Sequence, residues 1–464
     1  MTDDSAEEQP TQAATHLTPD PVSATEAGTR HASGGWARRA ARAMTVDFEP
    51  LRTSRDFRLL FVGQSISFFG SMMSFVVLPW QVYQLTESNL AVGMMGVVEF
   101  VPILLMAFVG GALADYVDRR RMVLMTEFLM AAGTGLLILN SSLSQPRVWL
   151  LYVCGAAFAA VGGLQRPSLD ALAPRLVPPE QLPAVSALNS LRANVGMVGG
   201  PALGGLLVVW VGPALTYTVD FLTFSASLVA LWMMRAVPPP LEADRPSVRS
   251  VVEGLRYARS RPELMGTYLI DINAMFFGMP MALFPAIGEG FGGAAVGLLY
   301  SAPAVGSLLA TLTSGWTKHV HRHGLAVAVA AGCWGAAIVG FGLANHLWVA
   351  LAFLVLAGGA DMVSGLFRSV IWNQTIPDHL RGRLAGIEMV SYTSGPLLGN
   401  AEAGVAARLF GERAAVVSGG VLCVVGTALL ALALPAFIRY DGREGIRRKQ
   451  AEESARLAAL GEAG

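Results

Sequence analysis

The chain has 464 residues, 53% hydrophobic and only 14% charged, with 33 basic and 33 acidic side chains. A soluble domain carries about 25% charged residues, so a soluble globular fold is excluded, and zero net charge gives no ground for a nucleic-acid partner. The apolar residues are grouped in runs of about 20, the length that crosses a bilayer as a helix.

Residues 1–50 differ in kind. "MTDDSAEEQPTQAATHLTPDPVSATEAGTRHASGG" is polar and cannot form a core, and it lacks the apolar stretch of a signal peptide. It reads as a disordered cytoplasmic tail. "GWARRAARAM" (35–44) reads either as a basic segment on the membrane surface or as a plain linker. Twelve spans follow, near 57–84, 90–112, 122–142, 147–166, 188–211 and 214–235, then 264–287, 292–316, 324–344, 346–369, 384–407 and 414–438. Pro79 predicts a bend in the first. Residues 51–235 form one six-helix bundle and 264–438 a second. A Pro-rich, charged cytoplasmic linker (236–263) joins them, and 439–464 form a C-terminal tail.

Basic residues set the orientation. One set of loops carries Arg119–Arg121, Arg175, Arg245, Arg249, Arg256, Arg259, Arg261, Lys318, Arg322, Arg381 and Arg383. The opposite loops offer little beyond Arg147, Arg408 and Arg413. The first set, and both termini, are therefore expected in the cytoplasm. Cys154, Cys333 and Cys423 fall inside spans at spacings that match no metal site, and are assigned to packing.

The two bundles repeat each other. "GGLQRPSLDALAPRLVPPEQLPAVSALNS" from Gly162 and "SGLFRSVIWNQTIPDHLRGRLAGIEMVS" from Ser364 share Gly-Leu-x-Arg, a polar stretch and a new helix. Each is followed by Gly-Pro, at Gly200-Pro201 and Gly395-Pro396. A repeat of six spans, with a site between the halves, is the plan of alternating-access carriers.

Three stretches carry a family likeness: "LRTSRDFRLLFVGQSISFFGSMM" (51–73), "VGLLYSAPAVGSLLATLTSG" (296–315) and "GGALADYVDRRRMVL" (110–124). Over residues 52–438 the sequence resembles the major facilitator superfamily, and within it the enterobactin-exporter-like branch that includes drug and macrolide efflux proteins. The fold so implied is all-α, with twelve transmembrane helices in two six-helix pseudo-repeats.

The third stretch is similar to the superfamily's loop motif G-x-L-x-D-R-x-G-R-R/K. Gly111, Leu113, Asp115, Arg119 and Arg120 match; Tyr116 and Asp118 depart. A carboxylate in that turn can favour the positive end of a nearby helix. The resemblance implies that Asp115 latches span 11, near Arg383, in the outward-facing state, with Arg166 another candidate partner. Charge placement for topology explains the arginines but not Gly-x-Leu-x-Asp. The second half keeps only "SGWTKHVHRHG" (314–324), with His319 where an Asp would stand.

Span 5 carries Gly196, Gly200, Pro201, Gly204 and Gly205, which fit G-x-x-x-G-P-x-x-G-G at every fixed position. Gly every fourth residue makes one flat face on which a neighbour packs backbone to backbone, and Pro201 removes a backbone donor. The resemblance identifies this as the signature of proton-coupled exporters. A packing motif alone is the plainer reading.

Ionisable groups inside spans are costly and usually functional. Glu99 lies mid-span in span 2, on the face of Gly96 and Gly110. Asp220 sits in the outer half of span 6, and Asp271 and Asp361 in the inner halves of spans 7 and 10. Arg368, two turns below Asp361 on one face, is expected to share a cavity with it without direct contact. Arg192, Asn194, Glu388 and Glu402 flank these spans. Each carboxylate is a candidate proton carrier or substrate site; a structural ion pair is the alternative. Span 4 lacks the outer-end Arg of the drug-antiporter pattern.

Met and aromatic residues in spans 1, 2 and 7 suit varied hydrophobic ligands, though most are expected to pack or face lipid. "GEGFGG" (288–293) is a loop, not a phosphate cradle. The sequence shows no hydrolase triad, cofactor motif or metal cluster. The reading is a proton-coupled secondary exporter of a siderophore, antibiotic or other medium-sized organic molecule, in the cytoplasmic membrane, with no obligate protein partner. Uptake of a small metabolite, and a non-transporting scaffold or sensor, are the alternatives.

Overall fold

The computed structural model describes residues 47–114, 118–235, 256–377 and 380–461. The expected tail 1–50 (but for 47–50) and residues 236–255 of the expected linker lie outside the described residues, as do the side chains of 107–114 and of most of 381–390. The described chain is helical almost throughout.

The first four long helices are α1 (Arg55–Thr86), α2 (Asn89–Ala114), α3 (Arg119–Ser141) and α4 (Val148–Leu172). Local chemistry sets their ends. Ser54 caps α1 by accepting from the Phe57 amide, and Glu87 closes it in the left-handed region (φ 49). Asp118 caps α3 by accepting from the Arg120 and Arg121 amides. α1 runs unbroken through Pro79, so the expected bend does not interrupt it.

Leu182–Trp232 has helical hydrogen bonding throughout but breaks at Gly212 (φ 81, ψ 170). We label residues 182–211 α5 and 213–232 α6. Contacts with α1 show that the chain reverses there. Along α1, Phe68, Phe69, Met72 and Met73 meet Gly196, Gly199, Gly200 and Gly204 in rising order, whereas Gly63 and Gly70 meet Ser227 and Thr223 in falling order. α5 is thus parallel to α1, and α6 antiparallel.

The second half holds α7 (Pro262–Phe277), a short continuation (Phe284–Gly290), α8 (Ala295–Leu312), α9 (His323–Leu343), α10 (Leu347–Thr375), α11 (Arg381–Phe410) and α12 (Glu412–Ala433). Gly411 (φ 87) makes the α11–α12 turn as Gly212 makes the α5–α6 turn, since both need a positive φ that side chains disfavour. Ten helices among the described residues are long and apolar enough to cross a membrane by length and composition. One of the ten is the α5–α6 pair. α11 is not among them: its central stretch mixes Ser391, Tyr392, Thr393, Ser394, Gly395, Pro396 and Asn400 among its apolar residues. Counted this way, the described helices make twelve crossings, in the expected order.

The C-terminal tail holds a helix, α13 (Gly442–Gly461), whose Lys449 Nζ donates to the Asn373 carbonyl of α10 at 3.4 Å. One expectation is corrected: Cys154 and Cys423 are buried, but Cys333 is exposed on α9 and takes no part in a core. Below, the charged end is the end bearing the basic loops and α13, and the far end is the opposite one.

Candidate functional site

The span 5 glycines serve two contacts. Gly196, Gly200 and Gly204 let α5 lie on α1: a Cβ on Gly200 would strike Met72, and one on Gly204 would sit 2.8 Å from the Met73 Cα. Gly205 lies against Gly297 of α8, across the boundary between halves. Next to it, Ser301 Oγ donates to the Val198 carbonyl at 2.8 Å. A second cross-half seam joins α2 to α11, where Gly93 and Gly96 face the Asn400 and Leu397 carbonyls and Gly404 faces Asn89. Both seams lie in the far half of the molecule. In the charged half, Arg166 of α4 stands 5.8 Å from the Tyr392 ring of α11, a longer contact. Small residues make backbone-to-backbone approach feasible where lipid offers no hydrophobic drive.

Between the seams lies a cavity of about 300 Å³. α1 contributes Ser71, Ser74 and Phe75, α2 Met95 and Glu99, α4 Phe158, and α6 Asp220. The second half closes it with Tyr300, Leu397 and Asn400. Its charged lining residues are Glu99 and Asp220, two of the carboxylates picked out from the sequence. Glu99 is turned inward onto α4, where Gly155 makes room: a Cβ there would sit 3.0 Å from Glu99 Oε1. Asp220 is buried and accepts from Ser74 Oγ across the α1–α6 contact, and from Thr223 Oγ1 at 3.3 Å. The cavity can therefore hold an apolar molecule against two acidic groups of different exposure.

The second half has its own cluster. Arg368 of α10 pairs with Asp271 of α7, both buried, and its other terminal nitrogen lies 3.7 Å from Asp361. The expected lack of contact between Arg368 and Asp361 is thereby corrected. Helix side chains lean toward the N-terminus, so the long Arg368 side chain reaches back along α10. Glu388 of α11 is close enough to interact with both Arg368 and Asp271. None of these four residues lines the central cavity.

The loop motif divides. Arg120 Nε donates to the Leu231 carbonyl at 2.8 Å and its Nη2 to that of Trp232 at 2.6 Å, capping the C-terminal end of α6. Asp118, a departure from the motif, is the α3 cap. Gly111 lies in the last turn of α2, and Arg119 opens α3. Asp115 and the side chain of Leu113 lie outside the described residues, as does the proposed partner side chain Arg383.

Sequence reasoning passes over Glu127. It lies on α3, 2% exposed, and its Oε1 accepts from Gln64 Nε2 at 2.7 Å, Gln165 Nε2 at 3.1 Å and Ser67 Oγ at 3.4 Å. Gln64 also reaches Ser227 Oγ at 3.3 Å, so the cluster ties α1, α3, α4 and α6 together. Glu127 Oε2 is buried with no hydrogen-bond partner. Two turns from a basic loop, it reads as interfacial, yet its apolar neighbours and the Gln in each facing span are a usable signal.

Two six-helix halves, glycine seams between them and a cavity lined by Glu99 and Asp220 are those of a major facilitator transporter, a multi-pass membrane protein and not an enzyme. The chain belongs to the transmembrane secretion effector family, whose model matches residues 45–452. It is 28% identical over 385 residues to the enterobactin exporter EntS of Citrobacter koseri, covering 82% of this chain and 92% of that one. It is equally 28% identical to the enterobactin exporter EntS of Escherichia coli O1:K1 / APEC, over 383 residues and the same shares. Among solved structures, a bacterial homolog of the human lysosomal transporter Spinster, inward-facing and unoccupied, aligns with a TM-score of 0.67 at 15% identity, over 83% of this chain and 98% of that one. The nucleoside transporter NupG aligns with a TM-score of 0.67 at 9% identity, over 83% and 100%. At such identities these likenesses speak to the fold alone.

Proposed function

We propose that this transporter is a proton-coupled exporter of a medium-sized organic molecule, working by alternating access from the cytoplasmic membrane with both termini in the cytoplasm. The observation that carries this reading is the pairing of a carboxylate-bearing cavity with seams closed on one side. Among the described residues the halves touch backbone to backbone in the far half, and at the charged end through the longer Arg166–Tyr392 contact. The positive-inside rule makes the charged end cytoplasmic, so this is a carrier closed to the outside. The span 5 glycine pattern, and the export named for the EntS relatives, favour efflux over uptake. A siderophore is the first substrate to try on that ground; antibiotics and other secondary metabolites follow. Glu99 is the proton carrier in this reading, because it faces the cavity and has no ion-pair partner among the described residues. Asp115 is the loop latch. The domain plan, with cytoplasmic tail and linker, is part of the same proposal.

The test is a proteoliposome assay. Proton flux is followed while siderophores and lipophilic drugs are presented in turn. Substrate-dependent proton movement opposite to the substrate supports antiport. Substrate movement that ignores an imposed pH gradient overturns it.

A further inference from the structure

The surface of the second half carries two adjoining hollows that the transport reading does not use. One is an open groove of about 850 Å³ between α8, α9 and α10. Its walls include Leu309, Val329 and Leu356, which are 51%, 56% and 62% exposed. On membrane-spanning helices, such residues face acyl chains. Trp316 and Arg322 stand at the charged end of this groove. The other hollow, about 430 Å³, lies at that end and is lined by Lys318, His321 and Arg443, with α13 as one wall. Val320 lines both, so groove and pocket meet there.

The two differ in chemistry. The groove is apolar along its length and the pocket is basic. Arg443 donates to His321 Nε2, which fixes both side chains in the pocket. Of the nearby acids, Glu444 pairs with Arg448, and Asp441 accepts from the Arg443 amide at 2.9 Å. Among the described ion pairs, none uses Lys318, Arg322 or Arg443. This segment is the "SGWTKHVHRHG" that departs from the acidic loop motif of the first half.

We propose that groove and pocket together hold one anionic phospholipid. Its acyl chain lies along α8–α10, and its phosphate sits among Lys318, His321 and Arg443. Basic pockets beside spanning helices attract acidic headgroups, each Lys or Arg adding roughly a fivefold preference. An apolar groove alone accepts any lipid; the adjoining cations select an acidic one.

Cys333 lines the groove and is exposed, while Cys154 and Cys423 are buried. A bimane label on Cys333 of the full chain therefore reports on the groove. The labelled protein is placed in phosphatidylcholine vesicles containing either brominated phosphatidylglycerol or brominated phosphatidylcholine. The expected result is half-maximal quenching at roughly 25-fold lower mole fraction for the acidic lipid, fivefold for each of Lys318 and Arg443. The doubly substituted Lys318→Gln, Arg443→Gln chain should lose that preference while keeping its helical circular dichroism. Equal quenching by the two lipids, or a preference that survives in the folded double variant, overturns the proposal.

Discussion

Gly205 of α5 and Gly297 of α8 lie backbone against backbone across the boundary of the two halves: a Cβ on either would fall on the other helix's main chain. Gly200, one turn earlier, faces Met72 of its own half. One glycine signature thus holds a bundle together with one residue and joins it to its partner with another.

The two positions should respond differently. Overpacking a close contact costs about 1–3 kcal/mol. Gly205→Val should spend that against the closed seam, leaving the protein folded but shifted toward the open far end. Gly200→Val should lower the melting temperature with a smaller change in conformation. Cysteine labelling from each side of the membrane, with a melting curve, separates them. The same outcome for both would remove the distinction.

Arg368 stands between two carboxylates, so its removal leaves both unpaired. Breaking a buried ion pair costs about 3–5 kcal/mol. Arg368→Gln should therefore destabilise the detergent-purified protein by that order. Adding Asp271→Asn should restore most of the loss, because the remaining Asp361 is more open. An Arg368→Gln variant that melts like the wild type would show that the pair contributes nothing to stability, and a double variant no more stable than the single would show that the stranded Asp271 is not the cause of the loss.

At Glu127, three donors converge on one oxygen. Glu127→Gln keeps an acceptor for Gln64 and Gln165 and should change stability little. Glu127→Leu strands those donors, at about 1–3 kcal/mol for a buried unsatisfied group. Thermal unfolding in matched detergent decides. A leucine variant as stable as the glutamine one would mean that water supplies the missing partners.

Glu99→Gln should bind substrate and exchange it across vesicles, yet fail to accumulate it from a proton gradient. Exchange needs no net proton transfer. The two activities are measured in the same vesicles. Accumulation at the wild-type level would move the carrier role to another carboxylate, with Asp220 next in line because it lines the same cavity.

Much of this architecture was legible because bilayer length and basic loops are properties of single segments. The α5–α6 turn is announced by Gly212-Pro213, and the seam by a fixed glycine spacing. What escaped depends on which helices adjoin. The Asp271–Arg368 pair joins residues far apart in the chain, and nothing local to either announces the other. Arg368 and Asp361 share one helix, but their contact depends on the direction in which a side chain leans. Glu127 was hidden for a third reason: its partners are neutral amides and hydroxyls, which carry no charge pattern to read.

The seventh span is broken after Phe277, where Gly278 leaves the helix and Pro280 lacks an amide to continue it. Its far piece is bound to α8: Gly288 packs on Val296, and Tyr300 donates to the Met281 carbonyl at 2.9 Å. Its near piece, which bears Asp271, is anchored to α10. The span thus has the build of a jointed rod. The joint lets the far segment follow α8 and the near segment follow the ion cluster on α10, without one continuous helix having to satisfy both.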